Sequence, residues 1–452
     1  MNILDKSIAY LSPTKGAARA KARQQIKAYE AGVSSTSTHP FKRDKGSADT
    51  VVAVSGYNLR IKARDLDRNH DIVHGALDVL TQNIVGLGIR PEPQVKLVSG
   101  ELADEVNEQL VELWKEWIKD PEVTGERDYY SSQRLKCRTW LRDGEVLQQY
   151  LSGNVPFLKH SGRVPYSIEM LEADYLPLHL SDLSRGIIQG VQKNAWGQAT
   201  AYHLYKHHPG DIMNSNVLMT SAMKIVPADR IQHLKLVDRI GQTRGVTCLA
   251  SVINRLNDVK DYEDYERVAA KVAASMTGYI KKGSPDLYDG AGTTAREMDF
   301  VPGMIFDNLR PGEEIGTIDP NRPNTNLTSF RDGQLRAAAS GMGVSFSSMS
   351  KNYEGSYSSR RQENVEQYGT YGVLWHYFSE RSERPNWERF ALMAMAAGLI
   401  DAPTDLDMNS LDDVSFSRPT MPVIDPAKDA NANKTNLEMQ VTSKSEIIRG
   451  NG

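Results

Sequence analysis

Three basic side chains, Lys351, Arg360 and Arg361, are the residues best placed to contact an anion. They flank a stretch rich in Ser, Tyr and Gly that runs directly into a helical pattern, which favours a solvated loop before a helix. Ser359 and Gln362 have the spacing of a capping box and predict that the helix starts there. Charged donors at such a junction can bind the phosphates of a polyanion. The alternative is an ordinary surface loop before a capped helix.

A second charged group lies in the longest helical pattern of the chain, where five carboxylates crowd together: Asp258, Asp261, Glu263, Asp264 and Glu266. Charge runs of this kind usually form a solvated helix face. The other interpretation is that some of them line a passage for DNA. Acidic walls repel phosphates and so avoid the tight, counterion-releasing binding that basic walls produce. Asp258 and Asp261 are the first candidates for such a wall.

Motifs of enzyme chemistry are absent from the sequence. It contains no phosphate-binding loop of the form GxxxxGK[ST], no HExxH, no CxxC and no GxSxG. His207 and His208 are adjacent and would point in opposite directions on a strand, which makes them a poor metal pair. The sequence therefore predicts no catalytic residue, no metal and no cofactor. A serine or carboxylate hydrolase stays open as the alternative from a different class, although it needs a nucleophile–base arrangement that the sequence does not show.

The chain length and the net charge limit the classes of protein to which this sequence can belong. A chain of 452 residues exceeds one ordinary core and predicts several compact regions or an elongated body. The net charge of −3 argues against a protein that coats DNA non-specifically, so any DNA contact must be local or weak. Two cysteines, Cys137 and Cys248, fit a reducing compartment. The sequence has neither an apolar run of membrane-spanning length nor a signal-peptide core, so we expect synthesis in a cytoplasm and no membrane partner.

Apolar spacing predicts an α+β chain. A basic arm covers residues 1–50, and helical spacing follows over 66–85, 102–117, 131–143, 249–276, 327–340, 359–384 and, after a proline, up to 397. The part between residues 145 and 245 changes character, because short strand-like runs alternate with turn residues. These runs are Val146–Leu151, Ile168–Leu171, Ile187–Gln192, Ala199–Tyr205 and Arg230–Lys235, with a hairpin turn expected at Asn194–Gly197.

Several short segments carry a resemblance to a known family because they keep that family's order. They are Leu59–Asp65, Arg68–Asn69, Asn83–Ile89, Asp143–Val146, Glu172–Asp174, Gly190–Val191, Ala201–His203, Ile231–His233, Arg239–Gly245, Asp261–Tyr262, Leu309–Glu313, Gly343–Val344 and Tyr357–Arg360. Together, over roughly residues 11–450, the chain resembles a lambda-type tailed-bacteriophage portal protein.

The resemblance implies a portal-type fold that assembles as a ring, usually a dodecamer, at one capsid vertex. It also implies a division of the chain into the parts of that fold. These parts are a flexible basic arm (1–50), a wing (51–245), a stem helix (246–277), a clip (278–325), a second stem helix (326–341), a tunnel loop (342–358), and upper wing helices with the start of the crown (359–452).

The same resemblance implies the function and the partners. Viral double-stranded DNA would be packaged and ejected through the ring, which would lie in the virion after assembly in the host cytoplasm. The terminase large subunit and later the head–tail connector proteins would dock on the clip, and the major capsid and scaffolding proteins would surround the ring. Candidates for the clip surface are Lys282, Asp286, Asp289 and Arg296. The structural alternative is another ring-forming protein of the head–tail junction.

Within this picture the two charged groups take different roles. Asp258 and Asp261 would keep the channel wall non-adhesive, while Lys351, Arg360 and Arg361 would make transient phosphate contacts at the constriction. Lateral subunit faces need apolar surface, and four aromatic residues on helical stripes are candidates for it, with the plain core as the alternative. They are Trp114, Trp117, Tyr368 and Trp375.

Overall fold

Helices form the first part of the fold. In the computed structural model, which describes residues 46–211, 223–275, 279–282, 313–316, 327–419, 426–444 and 447, they are α1 (Ala48–Asn69), α2 (Asp71–Ile84), α3 (Asp104–Trp117) and α4 (Tyr129–Asp143). The helix predicted over residues 66–85 is mostly α2, and its first residues belong to the end of the separate helix α1. The sequence gives little sign of α1 because, between Val52 and Leu66, its buried face carries Gly56, Arg60 and Ala63 instead of large apolar residues.

The end of α4 is set by a glycine, as the sequence predicts. Gly144 caps the helix with a φ of 86°, and a Cβ atom there would lie 2.2 Å from the backbone carbonyl carbon of Val246. A side chain at this position would meet both the strain of a positive φ and a backbone clash. The N-terminus differs from the prediction, because Asp128 rather than Ser131 or Ser132 caps the helix and accepts the N–H of Ser131.

The strand-rich part forms two antiparallel sheets. The first has the order β3–β2–β8, and the second has the order β4–β5–β6–β7. The predicted hairpin turn is confirmed, since Asn194 Oδ1 accepts the N–H groups of Trp196 and Gln198. The strands are β1 (Pro91–Pro93), β2 (Glu145–Ser152), β3 (Tyr166–Glu172), β4 (Ile187–Ile188), β5 (Val191–Lys193), β6 (Ala199–Tyr205), β7 (Met223–Pro227) and β8 (Ile231–Lys235). The prediction missed β7, an edge strand with only Val226 buried.

The remaining elements are mostly helical. They are α5 (Ile253–Ser275), β9 (Tyr279–Lys282), β10 (Glu313–Gly316), α6 (Leu327–Met342), α7 (Phe346–Ser350), α8 (Tyr357–Phe378), a π-helical turn (Ser379–Glu383), α9 (Arg384–Ala396), β11 (Val414–Phe416) and α10 (Pro426–Glu438). Strand β10 pairs with β9, and β11 pairs with β1. None of the helices in the described part of the chain is long and apolar enough to span a bilayer.

Two large apolar cores hold the helices. The first core joins α1, α2, α4, α5, α6 and α8, and Trp140 and Phe378 are fully buried in it. The second core joins α3 and α9 to β2 and β3 through a group of aromatic rings that includes Trp117 and Trp387. The two cores meet at the π-helical turn, since Phe378 before the turn lies in the first and Trp387 after it lies in the second.

A buried ion network ties the strand-rich part to α1. The Glu145 network consists of Glu145, Arg60, His233 and Arg244, whose side chains are all at most 4% exposed. Arg244 Nη2 and Arg60 Nη2 donate to Glu145 Oε1 at 2.6 and 2.8 Å, and His233 Nε2 lies 2.9 Å from Glu145 Oε2. Burial alone would raise the pKa of Glu145, but Arg244, the hydrogen bond with His233 and Arg60 hold this pKa well below its usual value.

Candidate DNA-channel segments

Helices α5 and α6, which correspond to the two predicted stem helices, pack side by side. Arg255 Nη1 donates to Gln334 Oε1 at 2.8 Å, and the rings of Tyr262 and Phe330 meet edge to face with 5.2 Å between centroids. An ion pair between Arg331 and Glu263 adds a third contact. Helix α5 begins at Ile253 and the preceding residues form turns, so the helix is shorter than the predicted span.

The two acidic channel candidates lie on the exposed side of α5. Asp258 and Asp261 are both exposed, and Asp261 Oδ2 accepts a hydrogen bond from the Asn257 amide at 2.9 Å. Asp258 also lines a groove of about 400 Å³ between α5 and α6. Two other acids of the same run are paired with arginines, Glu263 with Arg331 and Asp264 with Arg267. Asp258 and Asp261 have no arginine or lysine salt bridge within the described residues.

Half of the predicted tunnel loop is folded rather than extended. After α6 ends at Met342, Gly343 has a φ of 71° and the chain forms the short helix α7, whose Met349 is buried in the first core. Ser345 caps α7 by accepting the N–H of Ser348. The solvated part of the loop is therefore limited to residues 351–356, which we call the basic loop because Lys351 opens it and Arg360 and Arg361 follow it.

Helix α8 holds the folded segment that leads into the basic loop. Glu363 Oε2 accepts a hydrogen bond from Ser347 Oγ at 2.7 Å, and one turn later Gln367 donates to the carbonyl oxygen of Gly343. The sequence analysis missed both residues, although their four-residue spacing places them on one face of a helix. These contacts fix α7, and with it the start of the loop, relative to α8.

The predicted capping box is wrong. Ser356 caps α8 by accepting the N–H of Ser359 at 3.2 Å, so the helix begins at Tyr357, and Ser359 lies inside it. The residue pair Ser356–Ser359 has the same three-residue spacing as the predicted pair and starts one turn earlier. As a result, Arg360 and Arg361 lie in the first helical turn rather than at the junction.

The three basic candidates differ in exposure. Lys351 and Arg361 are exposed, and Lys351 has a left-handed backbone with a φ of 55°. Arg360 is half-buried, and its Nε atom is buried with no hydrogen-bond partner among the described residues. Lys351 and Arg361 are therefore accessible to a ligand, whereas Arg360 is partly withdrawn from solvent.

The clip candidates are mostly outside the described residues. Lys282 lies on β9, where its backbone pairs with Glu313 of β10 in an antiparallel ladder. Asp286, Asp289 and Arg296 fall outside the part of the chain that the structure describes. The pairing of β9 with β10 brings the two ends of the predicted clip together.

A cluster with metal-binding residue types lies elsewhere, at Glu172, Asp174 and His208. Its ligand atoms lie within 4.8 Å of one another. However, Arg64 Nη2 is 2.6 Å from Asp174 Oδ2 and 3.2 Å from Glu172 Oε2, so a guanidinium already neutralises both carboxylates. A cation would have to displace this arginine, and the cluster is better explained as an ion-pair network.

The four aromatic candidates for a subunit face separate into two groups. Trp114 and Trp117 are buried in the second core, where their ring centroids lie 4.8 Å apart with the planes tilted by 34°, so the core interpretation is confirmed for them. Tyr368 and Trp375 are half-buried on α8. Tyr368 donates to the carbonyl of Pro419 and lies under the guanidinium of Arg418.

Comparison with known proteins identifies relatives along most of the chain. The family model described as "Phage portal protein, lambda family" matches residues 34–374. The probable portal protein of Halomonas phage phiHAP-1 is 26% identical over 428 residues, which cover 91% of this chain and 80% of that protein. Portal protein B of Escherichia phage lambda is 24% identical over 373 residues, which cover 74% of this chain and 67% of that protein.

Solved structures show the same fold. A chain in the neck of a native GTA particle, computed with C12 symmetry, matches with a TM-score of 0.54 at 12% identity, covering 88% of this chain and 93% of that chain. A chain in the virion of a native gene transfer agent matches with a TM-score of 0.50 at 11% identity. The predicted portal-type α+β fold is thus confirmed. Because the family model spans most of its length, the chain belongs to the lambda family of phage portal proteins.

Proposed function

We propose that copies of this chain close into a ring at one capsid vertex and that viral double-stranded DNA passes through the ring during packaging and ejection. Portal proteins are structural components of the phage particle, and the family membership supports this assignment. The ring assembles in the host cytoplasm, usually as a dodecamer, beside the major capsid and scaffolding proteins. Its role is mechanical rather than enzymatic.

The observation that carries the DNA contact is the anchored basic loop. Lys351 and Arg361 are exposed, while Glu363 and Gln367 hold the folded half of the same segment in place. A loop fixed at its base presents its charges at a constant position. In a ring, each charge recurs once per copy, so a weak single contact becomes a belt of contacts. These contacts are transient because each one is exposed and screened by salt.

The acidic residues on α5 have the opposite effect on DNA. Asp258 and Asp261 are exposed and lack a cationic partner within the described residues, so they keep their negative field. We propose that they face the bore and repel the phosphates of the passing duplex. A wall of this kind lowers the affinity for DNA, which a sliding polymer requires.

The clip serves as the docking end in this proposal. The terminase large subunit binds it during packaging, and the head–tail connector proteins bind it afterwards. Lys282, Asp286, Asp289 and Arg296 are the proposed contact residues, and the pairing of β9 with β10 supports a closed base for the clip. A protein that meets two partners in succession benefits from charged rim contacts, which affect the association rate more than the affinity.

The experiment replaces Lys351 and Arg360 by Glu in the same chain. We expect rings of normal size in electron micrographs but a loss of packaged DNA of at least tenfold, because every copy then adds negative charge at the constriction. The matched control replaces Lys119 and Lys159 by Glu, which are exposed and remote in sequence from the loop. The control should package normally. Normal packaging by the loop variant would remove these two residues from the mechanism.

A further inference from the structure

The long helical segment of the upper wing is interrupted by five residues of π-helix between α8 and α9, Ser379–Glu383. Its wider hydrogen bond runs from the N–H of Arg384 to the carbonyl oxygen of Ser379. Pro385 follows at once and has no N–H to donate, and its ring would clash with the carbonyl of Arg381 in a regular α-helix. The π turn accommodates this ring. Such turns contain one residue more than an α-helix needs and are frequent at functional sites.

A buried polar network surrounds this turn. Glu383 Oε2 accepts the hydroxyl of Tyr129 at 2.6 Å and the amide of Gln133 at 2.5 Å, and Glu383 is buried. The carbonyl oxygen of Ser382 accepts the amide of Gln232 at 2.9 Å. The π turn is thus bonded to α4 through its acidic side chain and to β8 through its backbone.

The same network extends to a buried lysine. Lys136 Nζ donates to Gln148 Oε1 at 2.6 Å and to Gln232 Oε1. Gln148 in turn donates to Asn386 Oδ1 at 2.5 Å, at the start of α9. Burial lowers the pKa of Lys136 to about 8. The contacts of the described residues include no direct ion pair between Lys136 and Glu383. The opposite charges are connected through Gln148, Asn386 and Tyr129, because Asn386 donates to the Tyr129 hydroxyl, which donates to Glu383.

We infer that this network, the polar lock of Lys136, Gln148, Gln232, Glu383 and Asn386, holds the π turn and thereby fixes the register of α8. If the turn became α-helical by a slip of one residue, α8 would rotate by about 100° and move by about 1.5 Å along its axis. The lock opposes this slip because the slip would separate the turn from its partners on α4 and β8. The buried carboxylate of Glu383 would then lose its hydrogen bonds, which is strongly unfavourable.

The register of α8 decides where the basic loop stands. Glu363 and Gln367 bind Ser347 and Gly343, which lie just before the loop, and Arg360 and Arg361 lie near the N-terminus of α8, just after the loop. A helix of 22 residues is stiff over its length of about 33 Å, so a slip at its C-terminal end reaches the arginines at its N-terminal end. The polar lock is therefore a set of positioning residues for the basic loop. Its consequence for DNA rests on the proposed function, whereas its effect on the register does not.

The test uses Lys136→Met together with Glu383→Gln, which remove both buried charges and keep the side-chain volumes similar. The register is read by a short thiol–thiol cross-linker between Ser347→Cys and Glu363→Cys, since these two side chains are in contact in the present register. The same cross-link is then tried between Ser347→Cys and either Gln362→Cys or Asn364→Cys. Burial raises the pKa of both native thiols, Cys137 and Cys248, which slows their reaction with the cross-linker. Cys248 is half-buried and is replaced by Ser in all variants.

We expect the lock variant to lose the 347–363 cross-link at least threefold and to gain the cross-link to 362 or 364. Amide exchange should rise in residues 357–378 and in the basic loop, while α3 stays protected. The control, Lys119→Met with Glu101→Gln, removes one exposed charge of each sign and should change neither signal. An unchanged cross-link pattern in a folded lock variant, or an even rise in exchange over the whole wing, would overturn the inference.

A second variant keeps the inference testable if the lock variant does not fold. Pro385→Ala restores the missing N–H and removes the ring that the π turn accommodates, while the lock residues stay in place. We expect a smaller change of the same kind, and its absence would also contradict the inference. Ring formation is followed in parallel by electron microscopy. Rings of the lock variant in which the register of α8 is unchanged would refute the lock alone. A parent chain that never forms rings would refute the proposed function.

Discussion

Glu145 and Asp261 are carboxylates of one chain in opposite surroundings. Glu145 is fully buried, and Arg60, His233, Arg244 and the N–H of Gly245 surround it. Asp261 is exposed and accepts one hydrogen bond from the amide of its helical neighbour Asn257. Arginine side chains have replaced water around the Glu145 carboxylate, whereas the Asp261 carboxylate is still exposed to water.

The comparison separates charges that build the fold from charges that are free to act on a ligand. A buried charge is stable only while all of its partners are present, so each member of the Glu145 network is constrained by the others. An exposed charge contributes little to stability, and its sign can follow function instead. This difference explains why we propose that α5 and the basic loop act on DNA, α5 by repulsion and the loop by contact, rather than the arginine-rich network.

The largest expected effect comes from breaking the Glu145 network at Arg244. Arg244→Met removes the guanidinium that donates to Glu145 and to the backbone carbonyls of Ala173, Leu176 and Gln189. We expect a loss of about 3–5 kcal/mol in the free energy of unfolding, because a buried carboxylate is left with too few partners. Chemical denaturation measures this loss. A loss below about 1 kcal/mol would show that water reaches Glu145.

An intermediate effect on the free energy of unfolding comes from the pH dependence of the Glu145 network. Burial lowers the pKa of His233 in the folded chain. Glu145 favours the protonated imidazolium, but Lys235 and Arg244 disfavour it, so the net shift of the pKa is downward. The unfolded chain therefore takes up a proton near about pH 6.5, whereas His233 in the folded chain takes up its proton only at a lower pH. Stability from this group is complete above that pH and declines below it.

We expect the chain to lose about 1 kcal/mol of unfolding free energy between pH 7 and pH 5.5 that His233→Gln does not lose. The glutamine amide can still donate to Glu145, so the variant serves as its own structural control. Urea denaturation at both pH values gives the difference. A variant that loses as much as the parent chain would place the titrating group elsewhere.

The local patterns explain how much of the fold the sequence predicts. Strand β6 and helix α4 follow directly from alternation and from the glycine at 144, and the hairpin turn follows from Asn194 and Gly197. Helix α1 was missed because its buried face carries Arg60 and Gly56 where an apolar stripe is expected. The capping box was misplaced because two serine pairs share one spacing, and only tertiary contacts decide between them.

The candidate site is harder to predict from the sequence than the fold. Charge runs predict exposure, and Asp258, Asp261, Lys351 and Arg361 are all exposed. The Glu145 network could not be predicted, because Arg60 and Arg244 lie 85 and 99 positions from Glu145 and no local pattern joins them. Which exposed face turns toward a ring axis depends on neighbouring copies, so the DNA contacts stay predictions.

The smallest expected effect on stability belongs to the acidic face of α5. Asp258→Asn together with Asp261→Asn should change the free energy of unfolding by less than about 0.5 kcal/mol, because both side chains are exposed and lack a cationic partner within the described residues. The effect on DNA should be larger. Without the two charges the wall repels phosphates less, so DNA should leave the particle more slowly, and the difference should shrink at high salt.

Ejection kinetics at two salt concentrations measure this effect. The control is Asp264→Asn, which removes an acid of the same helix that is paired with Arg267 rather than lacking a cation. We expect the control to eject at the parental rate. If the double variant also ejects at the parental rate while the basic-loop variant fails to package, the exposed acids belong to the outer surface of the stem. The difference between the buried Glu145 and the exposed Asp261 would then explain their effects on stability but would not give Asp261 a role in the channel. An exposed charge can act on a ligand only where that ligand passes close to it.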